Sequence, residues 1–401
     1  MITTKQKAVP SFTEFVVIVS LMMSLTAFSI DAILPALYQI SSELVVTNPN
    51  DRQLVISVIY FGIAVGQLFF GPLSDHIGRK KAIYIGYLAY IMGALVSGLA
   101  QNFPIMLLGR ILQGVGVSAP RGITLALVRD QYEGNRMARV MSFAMTVFIL
   151  VPTIAPSIGQ AILNIVGWRG IFGAFVFFAL ISVTWFSIRM PETLSFENRI
   201  LFSLKRVYKS IREILKIRFA LGFTLAAGCA YGVFVGYLNS SQQILQEQYA
   251  LSDKFPLFFA IIALSLGFAS FMNSRLVMRF GMIRMVQWAL RIQIVLSIVF
   301  LGIIVGLPTQ PPLWALMTYF MLFYFCTGIL FGNINALAMQ PLGHLAGIGS
   351  GVVGSFSTLL SMLFGIMIGR SYNGTILPLV IGMIVLTTAS IFIVRWATAE
   401  K

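Results

Sequence analysis

The sequence predicts an all-α polytopic membrane protein with twelve transmembrane helices in two six-helix bundles. Three observations lead to this fold class. The composition is 58% hydrophobic and 10% charged, apolar runs long enough to cross a bilayer recur along all 401 residues, and the longest polar connection divides these runs into six and six. A soluble domain carries roughly 25% charged residues, so a soluble globular protein is excluded.

Apolar runs predict the twelve helices in chain order. The first run, 15–36, matches the roughly 20 residues that cross a bilayer and is too long for the apolar core of a signal peptide. The other eleven are predicted at 53–73, 82–100, 104–128, 138–163, 169–188, 219–245, 255–274, 285–306, 312–338, 345–369 and 375–396. Helices are required because an unsatisfied backbone group in lipid costs several kcal/mol.

The basic residues predict the orientation of the chain. With both termini cytoplasmic, 21 of the 28 Lys and Arg residues fall on the inside and four, Arg52, Arg169, Lys254 and Arg370, fall outside. This is the distribution expected of the positive-inside rule. The net charge of +15 therefore faces an anionic lipid surface, and we expect a lipid bilayer and no nucleic acid as partner.

The spacing of the runs predicts a domain organisation. An N-terminal six-helix bundle is expected over 1–190, a cytoplasmic linker over 191–217 and a C-terminal six-helix bundle over 218–401. In the linker, apolar residues recur at helical spacing between Ile200 and Leu215 with basic residues between them. This pattern predicts an amphipathic helix on the inner leaflet.

The loop between spans two and three reads Gly71-Pro-Leu-Ser-Asp75-His-Ile-Gly78-Arg79-Lys80-Lys81. Gly71 permits close helix contact, Gly78 permits a tight turn, and Asp75 beside three cations can form an ionic latch. The loop resembles the signature loop of the major facilitator superfamily, which implies a major facilitator fold. The resemblance also implies a conformational latch, with Asp75 near the start of span eleven and Arg79 near Asp130. The alternative is a plain positive-inside loop.

The two halves share a further similarity at this turn. Gly78 is followed three residues later by Lys81, and Gly281 is followed three residues later by Arg284. Equivalent turns in two six-helix halves support a duplicated bundle with a cavity between the halves near mid-membrane.

Two further motifs resemble those of the drug/proton antiporter group of this superfamily. Span four carries Arg110-Ile-Leu-Gln113-Gly114, which resembles the Arg-x-x-Gln-Gly motif. Span five carries Ala155-Pro156-Ser-Ile-Gly159-Gln160, which is similar to Gly-Pro-x-x-Gly-Gly but departs from it at both ends. The resemblance implies export, with an antiporter-type kink at Pro156 and close packing at Gly159.

Other stretches resemble the bicyclomycin-resistance (Bcr/CflA) exporters across essentially the whole chain. They include Asp31-Ala-Ile-Leu-Pro35, Trp168-Arg169-Gly-Ile-Phe172 and Asn335-Ala-Leu-Ala-Met-Gln-Pro341. The resemblance implies a proton-coupled antiporter of the bacterial inner membrane that exports drugs or small amphiphilic metabolites. We expect a monomer, since a single chain can hold a complete cavity. A proton-coupled nutrient symporter and a dedicated exporter of a siderophore-like metabolite remain alternatives. A membrane enzyme would need clustered catalytic groups within the spans, which the sequence lacks.

Ionisable residues within the spans mark the predicted site. Each costs roughly 2.5 to 3.5 kcal/mol at the centre of a span. Asp31 and Arg110 both lie about 9 Å below the outer surface at about 1.5 Å per residue, so they are our candidates for proton coupling. Asp31 is interpreted either as a proton carrier, which releases its proton when substrate or Arg110 approaches, or as one half of a static ion pair with Arg110.

The remaining candidates are expected to line a substrate cavity. Arg110 and Arg121 are eleven residues apart, which returns to nearly the same helix face, and this face includes Gly114. The full predicted set is Gln113, Gly114, Arg121, Tyr231, Tyr237, Asn239 and Gln242. Ordinary helix packing is the alternative for each. No phosphate-binding Gly-x-x-x-x-Gly-Lys motif is present, and Cys and His spacing predicts no metal site. We therefore expect no cofactor.

Overall fold

A computed structural model describes residues 10–399, except for the side chains of 135, 138, 149, 204, 206 and 344–346. Lys5 and Lys7, which contribute to the predicted orientation, lie outside this range. The described helices are α1 (Phe12–Asp31), α2 (Leu37–Glu43), α3 (Leu54–Ile77), α4 (Arg79–Gly98), α5 (Phe103–Gln131), α6 (Gly134–Val166), α7 (Trp168–Arg189), α8 (Leu204–Lys216), α9 (Arg218–Gln242), α10 (Phe255–Phe280), α11 (Met282–Gly306), α12 (Leu313–Met339), α13 (Ala346–Arg370) and α14 (Leu377–Thr398).

Twelve segments within residues 10–399 are long and apolar enough to cross a bilayer, which confirms the predicted fold class. The first covers Phe12–Glu43 and the second Pro49–Ile77, so both extend beyond the predicted bounds. Polar residues at the ends of these spans lower the local hydropathy without ending the helical backbone. We call the end that carries α8 the linker end, and the opposite end the distal end.

The first span is broken. Helix α1 ends at Asp31, and a 3-10 turn over Leu34–Ala36 leads into the short helix α2. Pro35 has no backbone N–H to donate to the carbonyl of Asp31 four residues earlier, which favours ending the regular helix there. The last-turn carbonyls of α1 therefore need other hydrogen-bond donors.

Glycines let α4 and α5 pack closely. A Cβ atom on Gly116 would overlap the backbone nitrogen of Tyr90, and one on Gly93 would overlap the backbone nitrogen of Gln113. On another face of α5, a Cβ atom on Gly114 would overlap the carbonyl oxygen of Ile59 in α3. Lipid offers no hydrophobic drive for helix association, so such close backbone approach provides the packing energy.

The linker helix α8 is amphipathic, but protein covers part of its apolar face. Ile214 is buried in a cluster with residues of the C-terminal half, and Ile211 packs against the same cluster. Tyr208 and Leu215 remain exposed. The helix therefore attaches to the C-terminal half and presents only part of its apolar face outward.

We predict that Gly116→Ala lowers stability by about 1 to 3 kcal/mol, because the added methyl group meets backbone that must move. The apparent unfolding temperature of purified protein in detergent measures the change. Gly122→Ala is the matched control in the same helix, because no atom of a described residue lies within 4 Å of a Cβ atom there. Equal unfolding temperatures for the two variants would contradict the close α4–α5 contact.

Candidate functional site

Asp31 is a buried carboxyl group at the break in the first span, and its residue is only 4% exposed. It forms no ion pair or hydrogen bond through its side chain with any residue that the structure describes. Its electrostatic neighbours include Tyr60 of α3 and Tyr237 of α9. The carboxyl group therefore lies where the N-terminal half faces the C-terminal half.

Tyr60 connects Asp31 electrostatically to a second charged residue, Arg121. The Tyr60 hydroxyl lies within electrostatic range of both of these side chains, and Arg121 lies within electrostatic range of Tyr231 of the C-terminal half. Tyr60, Arg121 and Tyr231 are all half-buried. They bring a cation and two phenol hydroxyls from both halves into one partly accessible region.

Arg110 is fully buried, and its hydrogen bonds explain why it does not pair with Asp31. The guanidinium donates to the carbonyl oxygen of Ser29 at 3.0 Å, to that of Val55 at 2.9 Å and to Oε1 of Gln113 at 2.7 Å. The Ser29 carbonyl lies in the last turn of α1, where a cation also complements the helix dipole. Arg110 thus caps the broken helix, and the structure does not form the static Asp31–Arg110 pair.

Two residues expected in the cavity lie elsewhere. Gln113 is fully buried, with its side chain accepting from Arg110, and Gly114 packs against α3. The prediction that this stripe of α5 lines a cavity is therefore wrong for Gly114 and Gln113. Small residues served as a packing surface, because a missing side chain lets neighbouring helices approach. Of the predicted stripe, Arg121 reaches the half-buried region between the halves.

The predicted residues of α9 have different surroundings. Tyr231 donates to the carbonyl oxygen of Phe331 at 3.3 Å. Tyr237 packs among Phe259, Phe320 and Tyr324, and its hydroxyl has no hydrogen-bond partner in the structure. Tyr237 therefore places a buried hydroxyl within electrostatic range of Asp31.

Asn239 and Gln242 lie nearer the distal end of α9, and both are buried. Asn239 donates to Ser57 Oγ of α3 at 2.9 Å, which joins the two halves. Gln242 donates to Oε1 of Glu247 at 3.2 Å. Asn239 therefore forms part of the contact between the halves, and Gln242 supports Glu247, which also takes part in that contact. Both side chains help to keep the distal side closed in this conformation.

The antiporter-like motif packs on the break in the first span. Pro156 lies inside α6, where it cannot donate to the preceding turn. A Cβ atom on Gly159 would overlap the carbonyl oxygen of Ala32. Gly159 therefore lets α6 approach the backbone directly after Asp31.

The signature loop forms a compact ionic cluster at the linker end. Arg79 contacts Asp75 at 2.5 Å and Asp130 at 3.2 Å. Gly78 has a φ of +100°, a backbone conformation that glycine adopts without steric cost. Glu192 accepts hydrogen bonds from the backbone N–H groups of Arg79 and Lys80 and so caps the start of α4.

Two expectations for this loop have different outcomes. An oxygen of Asp75 lies 3.9 Å from the Cβ position of Gly347, so Asp75 is close to the start of α13, the eleventh span. Gly71, in contrast, has no atom of a described residue within 4 Å of its Cβ position. The expected close helix contact at Gly71 is therefore not among the contacts that the described residues form, and it stays a prediction.

Ion pairs hold the two halves together at the distal end. Arg52, which is 4% exposed, contacts Glu247 at 2.7 Å, and Asp51 contacts Arg370 at 2.9 Å. Both pairs join the residues that precede α3 to the C-terminal half. They close the distal side in this conformation.

Neutral hydrogen bonds extend this distal contact. Asn50 donates to the carbonyl oxygens of Tyr372 at 2.8 Å and Arg370 at 3.1 Å, and Gln243 donates to Asn50 Oδ1 at 2.8 Å. Burial, with a further contribution from Glu247, raises the pKa of Tyr372. Its hydroxyl therefore stays a neutral donor in the network.

Sequence reasoning missed Tyr60, Glu192 and the distal pairs. Tyr60 is a phenol in an otherwise apolar stretch of span two, which is a weak signal. Glu192, Arg52 and Glu247 lie at or beyond span ends, where charged residues are common. Only their partners in the fold distinguish them from other surface charges.

The comparisons with known proteins agree with this architecture. The Major Facilitator Superfamily pattern matches residues 17–366. A bicyclomycin resistance protein homolog of Haemophilus influenzae is 27% identical over 92% of this chain and 92% of its own, and multidrug resistance protein D of Escherichia coli is 25% identical over 82% and 84%. The xylose transporter XylE of E. coli, in a partially occluded inward open conformation, has a TM-score of 0.71 at 13% identity, over 97% of this chain and 98% of its own.

We predict a favourable coupling of about 1 kcal/mol between Arg52 and Glu247, because Glu247 is partly exposed and solvent weakens the pair. A double-mutant cycle of Arg52→Gln, Glu247→Gln and the double variant, followed by unfolding temperature, measures it. Asp253→Asn, an exposed carboxyl group in the same distal loop, serves as control. Strictly additive effects of the two variants would show that the pair contributes nothing.

Proposed function

Because the chain belongs to the Major Facilitator Superfamily, it is a multi-pass membrane transporter of small molecules and not an enzyme, and we propose that it is a proton-coupled drug exporter. In this proposal it exchanges protons for drugs or small amphiphilic metabolites by alternating access. Relatives named for bicyclomycin and multidrug resistance support the choice of cargo class. The observation that carries the coupling is the buried, unpaired Asp31.

Asp31 is the proposed proton carrier. A carboxylate there would lack a neighbouring cation to neutralise it, and the last turn of α1 carries partial negative charge. Removing a charge from water without a partner is costly, so we infer that Asp31 binds a proton whenever the site is dry. Water or substrate entering from one side would let the proton leave.

Arg110 is assigned a supporting role in this proposal. Its three hydrogen bonds hold the end of α1 against α3 and α5. Because these contacts fix the backbone at Ser29, they fix the position of Asp31 two residues later. We propose that Arg110 keeps the proton carrier at the interface between the halves.

Substrate is proposed to bind beside Tyr60, Arg121 and Tyr231, which are half-buried and come from both halves. Phenol hydroxyls and one guanidinium can orient a polar group, while the aromatic cluster around Tyr237 supplies apolar surface. Such a combination suits amphiphilic molecules. Tyr60 interacts with both Asp31 and Arg121, which gives substrate a route to influence the proton.

Alternating access requires contacts that can open at each end. The distal end is held by ion pairs and hydrogen bonds, including Arg52–Glu247. At the linker end, Asp75 lies close to α13. We propose that these contacts separate in alternation while each half moves as a unit.

We also infer an orientation and an assembly. The linker end carries most of the basic residues, so by the positive-inside rule we infer that it and both termini are cytoplasmic. Relatives from bacteria support the inner membrane as the location. One chain supplies both sides of the site, which supports a monomer.

The proton driving force is sufficient for this exchange. One pH unit is worth about 1.4 kcal/mol per proton, and 100 mV is worth about 2.3 kcal/mol per charge. A single proton that moves down both gradients therefore supports a substrate gradient of several hundred-fold.

We predict that Asp31→Asn abolishes proton-coupled transport while the protein stays folded, because the amide has the shape of the carboxyl group but cannot exchange a proton. Purified protein in liposomes with an imposed pH gradient, a lumenal pH dye and bicyclomycin as substrate provides the measurement. Drug-dependent proton movement should fall about tenfold or more, to the level of empty liposomes.

Asp253→Asn is the control, since it removes an exposed carboxyl group from the distal loop. It should keep full coupling. Full coupling in Asp31→Asn would reject Asp31 as the proton carrier. Loss of coupling together with loss of the native elution volume would instead indicate misfolding.

A further inference from the structure

The equivalent turns of the two halves differ in how their cations are neutralised. In the N-terminal half, Arg79 pairs with Asp75 and Asp130, and Lys80 donates to the carbonyl oxygens of Ser187 and Met190. These basic groups have partners within the protein. They serve the internal structure of that half.

Four arginines without such partners lie on α10 and α11, on either side of the turn that joins these helices. They are Arg275, Arg279, Arg284 and Arg291, and all four are exposed. None forms an ion pair or side-chain hydrogen bond with a residue that the structure describes, although Arg275 and Arg279 lie over the rings of Phe271 and Phe280. The sequence contains no Asp or Glu from 254 to 399, so the surrounding helices offer no carboxylate.

Arg291 is placed where an unpaired cation is costly. Nine residues separate it from the start of α11, which places its backbone about 13 Å from the linker end. Its side chain faces outward, where a lipid-facing guanidinium must reach towards the headgroups. Arg284 lies seven residues earlier, on nearly the same face of the helix.

An apolar groove begins at residues that directly follow Arg284 and Arg291 in α11. It has a volume of about 320 Å³ and runs between α11 and α12. Its walls include Trp288, Ile292, Leu296, Leu322, Phe325 and Ile329. Trp288 also packs edge-on against Phe280 at 5.2 Å, which connects the groove to the basic turn.

We propose that this surface is a specific binding site for an anionic phospholipid of the leaflet at the linker end. Arg284 and Arg291 would hold the phosphate group, since guanidinium binds phosphate in a bidentate geometry. One acyl chain would lie in the groove beside Trp288. The uncompensated positive charge selects a lipid with net negative charge over a zwitterionic one.

Native mass spectrometry of the full-length purified protein tests the site. The protein is titrated with phosphatidylglycerol, with phosphatidylcholine of the same chain length and with glycerol phosphate. We expect phosphatidylglycerol to bind about tenfold more tightly than phosphatidylcholine, which corresponds to about 1.4 kcal/mol. Glycerol phosphate, which cannot use the groove, should bind far more weakly.

The decisive variant is Arg284→Gln/Arg291→Gln, which should lose the preference for phosphatidylglycerol. Arg136→Gln/Arg395→Gln is the matched control, because it removes two exposed arginines from the same end of the protein and should keep the preference. Arg284→Lys/Arg291→Lys keeps the charge without the planar fork, so it should retain only part of the preference.

Three results would overturn the proposal. Equal loss in the Gln variant and its control would indicate general surface charge. A retained preference in the Arg284→Gln/Arg291→Gln variant would place the lipid elsewhere. Binding of glycerol phosphate as tight as that of the lipid would exclude the groove. Unchanged elution volume and helical circular dichroism confirm that each variant is folded.

Discussion

The break in the first membrane span is the constraint on which the site depends. Where no water is available, the freed carbonyl groups at the end of α1 need donors from the protein. Arg110 donates a hydrogen bond to the carbonyl oxygen of Ser29, and Gly159 allows α6 to approach the backbone at Ala32. These contacts explain why two motifs on different spans meet at one place. They also leave the Asp31 carboxyl group at the interface, with no cation committed to it.

The glycine packing within the N-terminal half differs in kind from the polar contacts that join the halves at the distal end. Within the N-terminal half, glycines such as Gly93 and Gly116 bring helix backbones together, and such packing is dense and hard to separate. At the distal end the halves meet through ion pairs and hydrogen bonds, such as Asn239 to Ser57. Polar contacts can be exchanged for water at small net cost. The polar contacts at the distal end therefore suit an interface that separates reversibly there.

The duplicated turns show how one fold can use the same position in two ways. Gly78 and Gly281 both have positive φ and both precede a helix. In the N-terminal half the following cations are bound by carboxylates and carbonyls. In the C-terminal half the arginines face outward beside an apolar groove. The difference follows from the distribution of acidic residues, because the N-terminal half supplies Asp75 and Asp130 whereas residues 254–399 contain no acid.

The sequence alone determined the class of fold and the number of spans, and it singled out Asp31 as a buried ionisable residue, because hydropathy and the cost of buried charge are local properties. It also contained the motifs of the signature loop. The tertiary structure decided which neighbour each side chain meets. Arg110 caps a helix end instead of pairing with Asp31, Gly114 packs against α3, and Tyr60 joins the site. A span that is apolar on all sides carries little information about its rotation, and each residue of error turns a side chain by about 100°. Only helix packing fixes that angle.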